Sequence, residues 1–304
     1  MNKVVLPYKV SRLIDDILRG TLSRGNVLPH ILLVGPPGIG KTTIASYIAR
    51  EMGVDFVKVI GGAITQPKDI IGILLKLSYG SVLFIDEIHR IPSAVEELLY
   101  PALDNFSLDM IIGKGKVKSI ALQPFTIIGA TTMEEKISPP LRSRFSLIIQ
   151  LDGYEKQDLL EMIALYSENL IFDEKAKEYL IFVSRGNPRR LVLLIERLKD
   201  FVSIRQIDVV KVSHIEELLD IIDYDTRYGL DRRERRYLMA LANGFNGGPA
   251  GVRSLAGVLG ESVRVLQEIV EPPLIADGFI VLTPRGRKLT EKGWSFVEDE
   301  SSAS

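Results

Sequence analysis

The sequence contains no cysteine, which excludes disulfide bonds, thiolate zinc sites and cysteine nucleophiles. It has no apolar run near the ~18 residues that a membrane-spanning helix needs, and residues 1–10, MNKVVLPYKV, lack the apolar core of a signal peptide. It has little net charge, because 38 basic residues face 39 acidic ones. A polyanion site must therefore be local. These absences predict a cytoplasmic protein without membrane contact.

What is present is an ordinary globular composition, with 46% hydrophobic and 25% charged residues among 304. A domain averages roughly 150 residues, so we expect two domains or three small ones. Residues 9–24 predict an amphipathic helix whose buried face carries Val10, Leu13, Ile14, Ile17 and Leu18.

Residues 31–150 have the texture of an α/β domain. Short apolar runs alternate with helical segments near 41–51, 68–77 and 93–104, and the runs are ILLV at 31, VLFI at 82, FTII at 125 and LIIQ at 147. Continuous apolar runs between helices are typical of a parallel sheet that is covered on both faces. We therefore expect a parallel sheet flanked by helices.

The residues after Leu151 predict helices and no further strand until the C-terminal part. Helix starts are indicated at Asp173, at Asn187-Pro188 and at Ser213. Asp231 with Glu234 begins another helix, followed by helices near 252–259 and 261–275 and an extended hairpin at 279–290. This order is typical of a winged helix. We expect an α/β domain at 1–151, a helical domain at 152–226 and a winged-helix domain at 227–304.

A phosphate-binding loop follows the first strand. Residues 35–42, GPPGIGKT, match G-x-x-x-x-G-K-[ST] between a predicted strand and a predicted helix. Gly35, Gly38 and Gly40 let backbone N–H groups surround a phosphate, and Lys41 reaches the β and γ oxygens. The hydroxyl of Thr42 suits Mg²⁺. The pattern predicts an ATP or ADP site.

Two acids end the next apolar strand, VLFIDE at 82–87. Asp86 is expected to hold Mg²⁺, and Glu87 to polarise the water that attacks the γ-phosphate. Such acids sometimes only cap a helix, but the phosphate loop favours the catalytic interpretation. His89 follows, and a lone histidine after an apolar strand is more often a packed or surface residue than a catalytic one.

The strand at 126–132 ends in hydroxyls that suit the attacking water. It is followed by PLRSRF at 140–145, which places two arginines at the rim of the domain. In a ring of nucleotide-hydrolysing subunits, such an arginine can stabilise charge on the neighbour's γ-phosphate. A surface arginine pair is otherwise usually only solvated.

These motifs resemble the RuvB family, the AAA+ motors of Holliday-junction branch migration. The resemblance covers about residues 10–290 and rests on GPPGIGKTT, VLFIDEIHR, VEELLYPALDNFSLDMIIGKGK, PFTIIGATT, PLRSRF, SRGNPRR and GFIVLTPRGR. The fragments IGKGK, FNGGPAG and TPRGR are the most specific to it. It implies an ATP-driven homohexameric ring on duplex DNA and at a Holliday junction.

The resemblance also implies roles for single residues. Phosphate and Mg²⁺ ligands are Lys41, Thr42 and Thr43, with Asp86 and Glu87 as the hydrolytic acids. Thr132 corresponds to the first sensor, Arg144 to the finger that acts in trans, and Arg189 to the second sensor. The residues implied to line the nucleotide pocket are Asp104, Asn105, Phe106 and Tyr154.

The hairpin at 108–122 matches the element with which the family grips its RuvA partner, although packing against its own domain is an alternative. Three positions depart from the family pattern: Val5-Leu6-Pro7 stands at an Ile-Gly-Gln box that helps to enclose adenine, and Met133 and Leu282 stand where the family has arginines. We therefore expect contacts with adenine, DNA or RuvA that differ from the family's.

The C-terminal end carries a local positive charge, since residues 229–290 hold nine basic and six acidic residues. Arg285 and Arg287 at the predicted hairpin tip suit phosphate contacts. The basic run from Arg232 to Arg236 is alternatively a solvated helix face, and winged helices also dock proteins. For the whole chain, a nucleotide-switched initiator or loader that does not translocate remains the alternative function.

Overall fold

The computed structural model describes residues 4–112 and 116–303, and the chain divides into two compact units, Met1–Asp158 and Leu159–Ser304. Each unit is described by itself. Among the described residues, no helix combines the length and the apolar character that crossing a membrane requires.

The first unit is built on five parallel strands and one antiparallel hairpin. Its strands are β1 (Ile31–Val34), β2 (Phe56–Ile60), β3 (Val82–Asp86), β4 (Ser107–Ile112), β5 (Lys116–Ala121), β6 (Thr126–Thr131) and β7 (Leu147–Gln150). Its helices are α1 (Tyr8–Arg24), α2 (Lys41–Met52), α3 (Pro67–Leu74), α4 (Ser93–Asn105) and α5 (Pro139–Arg142).

The parallel sheet has the order β2-β3-β6-β1-β7, which confirms the predicted fold class. Alternate residues of each strand enter different hydrophobic clusters: Leu32 and Leu83 belong to one, Leu33 and Phe84 to the other. Both faces are therefore buried, which explains the continuous apolar runs. All five strands are parallel, so their carboxyl ends share one edge and their amino ends the opposite edge.

Two details of the first unit differ from the prediction. Strand β2 was not predicted, because this edge strand alternates between partly buried and exposed residues around Lys58. Helix α1 confirms the predicted helix and buries Val10, Ile14 and Leu18. Leu13, predicted on the buried face, is 38% exposed.

Strands β4 and β5 form the predicted hairpin, with Asp109 opposite Ser119. Leu108 and Leu122 at its base are buried in the core of the first unit, so the base packs against its own domain. The turn residues 113–115, on which the IGKGK motif falls, lie outside the described residues.

The second unit is mainly helical. Its elements are α6 (Lys156–Tyr166), which begins just before the boundary, β8 (Ile171–Phe172), α7 (Glu174–Val183), α8 (Pro188–Arg205), β9 (Val209–Val210), α9 (Val212–Ile221), α10 (Arg232–Phe245), α11 (Val252–Leu259), α12 (Val263–Val265), a π-helical turn (Leu266–Val270), α13 (Glu271–Ala276), β10 (Ile280–Thr283), β11 (Gly286–Leu289) and α14 (Glu291–Ala303). We call residues 159–226 the lid and residues 227–303 the winged helix.

Most helix starts of the second unit confirm the prediction. The side chain of Asp173 accepts a hydrogen bond from the Ala176 N–H, and Asn187 accepts from Arg189 and Arg190. Asp231 and Glu234 form a reciprocal capping box.

The start predicted at Ser213 was wrong. Helix α9 begins at Val212, and His214 returns to cap the backbone N–H of Lys211 at 3.2 Å. The prediction that strands stop after Leu151 also missed the two-residue parallel pair of β8 with β9, which is too short to leave a pattern. Helix α14 was not predicted either.

Candidate nucleotide site and DNA-binding elements

The phosphate loop lies at the carboxyl edge of the parallel sheet. The N–H of Gly35 donates to the carbonyl of Thr131 at 3.2 Å, which ties the loop to the end of β6. A Cβ on Gly35 would lie 2.7 Å from the carbonyl oxygen of Leu151. Gly38 and Gly40 have φ angles of 80° and 96°, which strongly favour glycine. The loop thus needs its glycines for room and for conformation.

Lys41 opens helix α2 and lies across the loop. Its ammonium donates to the carbonyl oxygens of Gly35 at 2.8 Å and Pro36 at 3.0 Å, and the residue is only 8% exposed. Burial lowers the pKa of Lys41, while the charges of Glu87 and Asp86 oppose that shift. The cation is therefore held where phosphate oxygens can replace the carbonyl oxygens.

The predicted hydrolytic acids lie at the same edge. Asp86 ends β3, and Glu87 follows it with a left-handed φ of 51°. Gly61 packs directly against this backbone, since a Cβ on Gly61 would lie 2.4 Å from the carbonyl oxygen of Glu87. The hydroxyl of Thr132 donates to Glu87 Oε2 at 3.3 Å. The structure thus brings together the acid and the first-sensor position.

His89 belongs to this cluster as well. Its Nδ1 lies 2.8 Å from Thr131 Oγ1 and 3.4 Å from Glu87 Oε2, and its side chain is 9% exposed. The sequence pattern favoured a packed or surface residue at His89. One signal in the sequence indicates a role at the site: His89 follows Asp86 by three residues, and Asp86 ends a strand at the sheet edge where the phosphate loop lies.

Tyr154 and the N-terminal segment complete the surroundings of the loop. The Tyr154 hydroxyl lies 3.0 Å from the place a Cβ on Gly40 would take. Leu6, in the segment that stands at the adenine box, packs in the same cluster as Ile39 of the loop and is 8% exposed. Tyr154 therefore lies against the phosphate loop, and Leu6 belongs to the hydrophobic cluster that the loop shares.

The donor set at this edge fits Mg²⁺. The described residues contain no group of three or more His, Asp or Glu side chains that could hold a metal by itself. Thr42 at the start of α2 and Asp86 at the end of β3 offer a hydroxyl and a carboxylate oxygen. Mg²⁺ typically takes one or two protein oxygens and completes its shell with phosphates and water.

Arg144 lies at the opposite edge of the sheet. It stands just before β7, whose first residue pairs with the first residue of β1, and β1 separates it from the phosphate loop by about 13 Å of strand. Its guanidinium donates to the Asp104 carboxylate at 2.9 and 3.1 Å and lies 4.2 Å above the Tyr100 ring. It is held away from the phosphates of its own subunit.

The turn Asp104-Asn105-Phe106 lies at this amino edge too. The Phe106 ring packs against His30, which precedes β1, and Phe125, which precedes β6, with centroids 6.3 and 5.7 Å apart. The resemblance implied that this turn lines the nucleotide pocket. The structure corrects that expectation for the chain's own pocket, because α4 carries the turn to the far edge of the sheet.

Arg189 lies in the first turn of α8, and its side chain is exposed. It belongs to the second unit. Its role toward a nucleotide stays a prediction.

The two family-specific motifs of the winged helix pack against each other. Ala250 and Arg287 exchange backbone hydrogen bonds of 2.8 and 2.9 Å. A Cβ on Gly286 would lie 2.2 Å from the Ala250 carbonyl oxygen, and one on Gly248 would lie 2.2 Å from that of Arg287. Gly248 of FNGGPAG and Gly286 of TPRGR are therefore required by close backbone approach.

The two predicted DNA-contacting arginines have different surroundings. Arg285 is exposed at the tip between β10 and β11. The side chain of Arg287 is 14% exposed and donates twice to Glu271, at 2.9 Å each. The Tyr237 hydroxyl donates to the same carboxylate at 2.9 Å. Arg287 thus has an internal partner.

The basic run at the start of α10 is largely paired within the chain. Arg232 and Arg235 contact Asp223 at 3.2 and 2.7 Å, and Arg233 lies 3.6 Å from Glu261. This favours the solvated-face interpretation for the run. The exposed cations of the winged helix with no ion pair among the described residues are Arg236, Arg253, Arg285, Lys288 and Lys292. Of these, Arg236 and Lys292 donate to the backbone carbonyl oxygens of Leu259 and Asp277.

Comparison with known proteins matches both ends of the chain to family models. The Holliday junction DNA helicase RuvB P-loop domain matches residues 5–151, and the RuvB C-terminal winged helix domain matches residues 227–298. The Holliday junction branch migration complex subunits RuvB of Thermotoga petrophila and Thermotoga maritima are each 40% identical over 305 residues, covering 99% of this chain and 91% of theirs.

Solved structures give the same result. The Thermotoga maritima RuvB Holliday junction branch migration motor matches with a TM-score of 0.86 at 36% identity, over 97% of this chain and 95% of that one. A point mutant of the Thermotoga maritima RuvB matches with a TM-score of 0.88 at 36% identity, over 97% of this chain and 96% of that one. NtrX from Brucella abortus in complex with ATP, at 19% identity and a TM-score of 0.54 over 89% of this chain and 69% of that one, shares the fold alone.

Proposed function

The chain belongs to the RuvB family, and from that premise we propose that it drives branch migration of Holliday junctions by hydrolysing ATP as a hexameric ring on duplex DNA. The observation that carries the proposal is the agreement of two facts. The relatives that share 40% identity over 99% of the chain are named as branch migration subunits. The residues that such a motor needs for hydrolysis also meet at one edge of the sheet.

The phosphate loop and Lys41 bind the ATP phosphates through backbone N–H groups and the ammonium. Thr42 and Asp86 would hold Mg²⁺, which neutralises charge on the β- and γ-phosphates when it is bound. Glu87 orients the attacking water and accepts its proton. Thr132, 3.3 Å from Glu87, fixes the direction of that carboxylate.

Arg144 supports the ring. The sheet separates it from the loop of its own subunit, so the γ-phosphate that it reaches belongs to a neighbour. Asp104 and Tyr100 hold the guanidinium in one orientation before that neighbour docks. A fixed cation at an intersubunit phosphate is worth on the order of 10³–10⁵ in hydrolysis rate.

Duplex DNA meets the winged helix through its exposed unpaired cations, above all Arg285 at the tip. A tip arginine beside a glycine suits phosphate contact without base reading. A RuvA-like partner meets the hairpin at 108–122, whose base is anchored in the core of the first unit by Leu108 and Leu122.

The proposal is tested by measuring ATP hydrolysis and junction movement with a synthetic Holliday junction, duplex DNA and the RuvA protein of a relative. The wild-type chain should hydrolyse ATP over many turnovers, faster with DNA, and should move the junction. Lys41→Ala should abolish nucleotide binding, whereas Glu87→Gln should bind ATP and stall. A chain that hydrolyses about once per binding event and moves no junction would instead be a nucleotide-switched initiator or loader.

Mixed rings test the trans assignment. Arg144→Ala and Lys41→Ala subunits should each be inactive alone. Mixing them should restore some hydrolysis, because some interfaces then pair an intact loop with an intact arginine. Absence of recovery in rings shown to be mixed would contradict action of Arg144 in trans.

A further inference from the structure

Two arginines of the lid converge on one buried carboxylate of the winged helix. Glu234 in the first turn of α10 is 1% exposed. Arg190 donates to it from both terminal nitrogens, at 2.5 and 3.2 Å, and Arg185 donates at 3.1 Å. We call Arg185, Arg190 and Glu234 the clamp.

The clamp reaches a second element of the winged helix. Arg185 donates to the carbonyl oxygen of Pro273 at 2.9 Å and forms an ion pair with Asp277 just beyond α13. The two lid cations therefore face three winged-helix anions, because Asp231 also lies 4.0 Å from Arg190. Opposite charges that are removed from water together attract strongly, but each is costly without its partner.

The clamp is a buried, charged contact and not a loose surface pair. The side chain of Arg185 is 9% exposed and that of Arg190 is 19% exposed. Burial alone lowers the pKa of Arg190, but the hydrogen bond and charge of Glu234 raise it above its ordinary value. Glu234 thus favours the charged form of Arg190 and accepts hydrogen bonds from both arginines.

The segment between lid and winged helix is also tied down. The Tyr224 hydroxyl donates to the Val183 carbonyl at 2.9 Å, and Tyr179 donates to Thr226 at 3.0 Å. A Cβ on Gly229 would lie 2.7 Å from the same Val183 carbonyl oxygen. The two parts accordingly fall within one compact unit.

The clamp shares its helix end with the predicted nucleotide sensor. Arg189, which is exposed, immediately precedes Arg190 in the first turn of α8. Successive helical residues point about 100° apart, so one helix end directs Arg190 into the winged helix and Arg189 elsewhere. Asn187 caps that end at 3.0 Å from the Arg189 N–H and holds its start.

We propose that Arg185, Arg190 and Glu234 are positioning residues that make lid and winged helix move as one body, so that movement of α8 during the nucleotide cycle reaches the DNA undiminished. The movement of α8 rests on the proposed function, whereas the rigid connection between the lid and the winged helix does not. A variant that lacks the clamp should still hydrolyse ATP and bind DNA, but it should move the junction by fewer steps for each ATP hydrolysed.

The first experiment measures junction steps per ATP hydrolysed in full-length Glu234→Gln. Glutamine keeps the shape and the capping box but removes the charge. We expect ordinary basal hydrolysis and duplex affinity, with steps per ATP lower by about 5-fold or more. Arg190→Lys keeps the positive charge but loses the two parallel hydrogen bonds to Glu234. Its number of steps per ATP should lie between those of Glu234→Gln and the wild type.

A matched control separates coupling from stability. Leu238 is fully buried in the winged-helix core and takes no part in the clamp, so Leu238→Ala lowers the melting temperature without cutting it. We expect Leu238→Ala to keep its steps per ATP. An equal loss of steps in Leu238→Ala and Glu234→Gln at the same melting temperature would overturn the proposal.

The second experiment measures rigidity directly and needs no activity. Because the chain has no cysteine, Ile204→Cys in the lid and Leu282→Cys in the wing give two unique spin-label sites, 79% and 56% exposed in the native residues. The pair should show one narrow distance distribution, which broadens with Glu234→Gln and stays narrow with Leu238→Ala. A distance distribution that stays narrow with Glu234→Gln would refute the clamp. If the distributions change as expected but the wild-type chain moves no junction, only the proposed function would be refuted.

Discussion

Replacing Arg287 with alanine should destabilise the winged helix rather than remove one DNA contact. The substitution leaves Glu271, which is 2% exposed, without the guanidinium that donates to both of its oxygens. The Tyr237 hydroxyl remains as one donor, and it does not neutralise the charge. Removing one partner of a buried ion pair costs about 3–5 kcal/mol.

That loss is large for a unit of this size. A change of 1 kcal/mol moves the melting temperature by about 2–4 °C in units of 150–250 residues, so we expect a fall of about 6–20 °C for the transition of the second unit. Scanning calorimetry of the full chain measures it. The double variant Arg287→Met with Glu271→Leu should recover much of the loss, because apolar replacement of a whole buried pair is often neutral.

Arg285→Ala is the matched control at the same tip. Arg285 is exposed, so its loss should change stability by no more than about 0.5 kcal/mol and lower the slope of log K for duplex binding against log salt by about 0.9. If Arg287→Ala melted like the wild type and lowered the salt slope instead, Arg287 would contact phosphate and the internal ion pair would be irrelevant.

Three further outcomes follow from single contacts. Burial lowers the pKa of His30, so the neutral ring should contribute fully to stability above about pH 6.5 and less as pH falls through the lowered pKa. Urea unfolding at several pH values should show that the free energy of unfolding depends less on pH in His30→Asn. An equally steep dependence in that variant would contradict this. Gly286→Ala places a Cβ 2.2 Å from the Ala250 carbonyl oxygen at φ 132°, so calorimetry should show a loss of about 1–3 kcal/mol, and an unchanged melting temperature would argue against the close approach. Asp104→Asn frees the Arg144 guanidinium, so kcat should fall by up to about 10²-fold while the Kd for ATP is unchanged; weaker ATP binding with normal kcat would reverse that assignment.

The sequence by itself determined what depends on local chemistry. The phosphate loop needs glycines, a lysine and a hydroxyl within eight positions, and the caps at Asp173, Asn187 and Asp231 are hydrogen bonds to residues two or three positions away. Continuous apolar strands indicate a doubly covered parallel sheet. The edge strand β2 and the two-residue strands β8 and β9 were missed because partial exposure and short length erase that pattern.

Only the tertiary structure decided which distant groups became partners. It placed Asp104 against Arg144 at the edge away from the phosphates, gave Arg287 to Glu271, and set Arg185 and Arg190 around Glu234. An arginine in a sequence is equally suited to a phosphate or to a carboxylate of its own chain. Which of them it meets depends on the packing of elements whose paired residues lie between 16 and 49 positions apart, because packing sets both the distance and the loss of water that make the pair favourable.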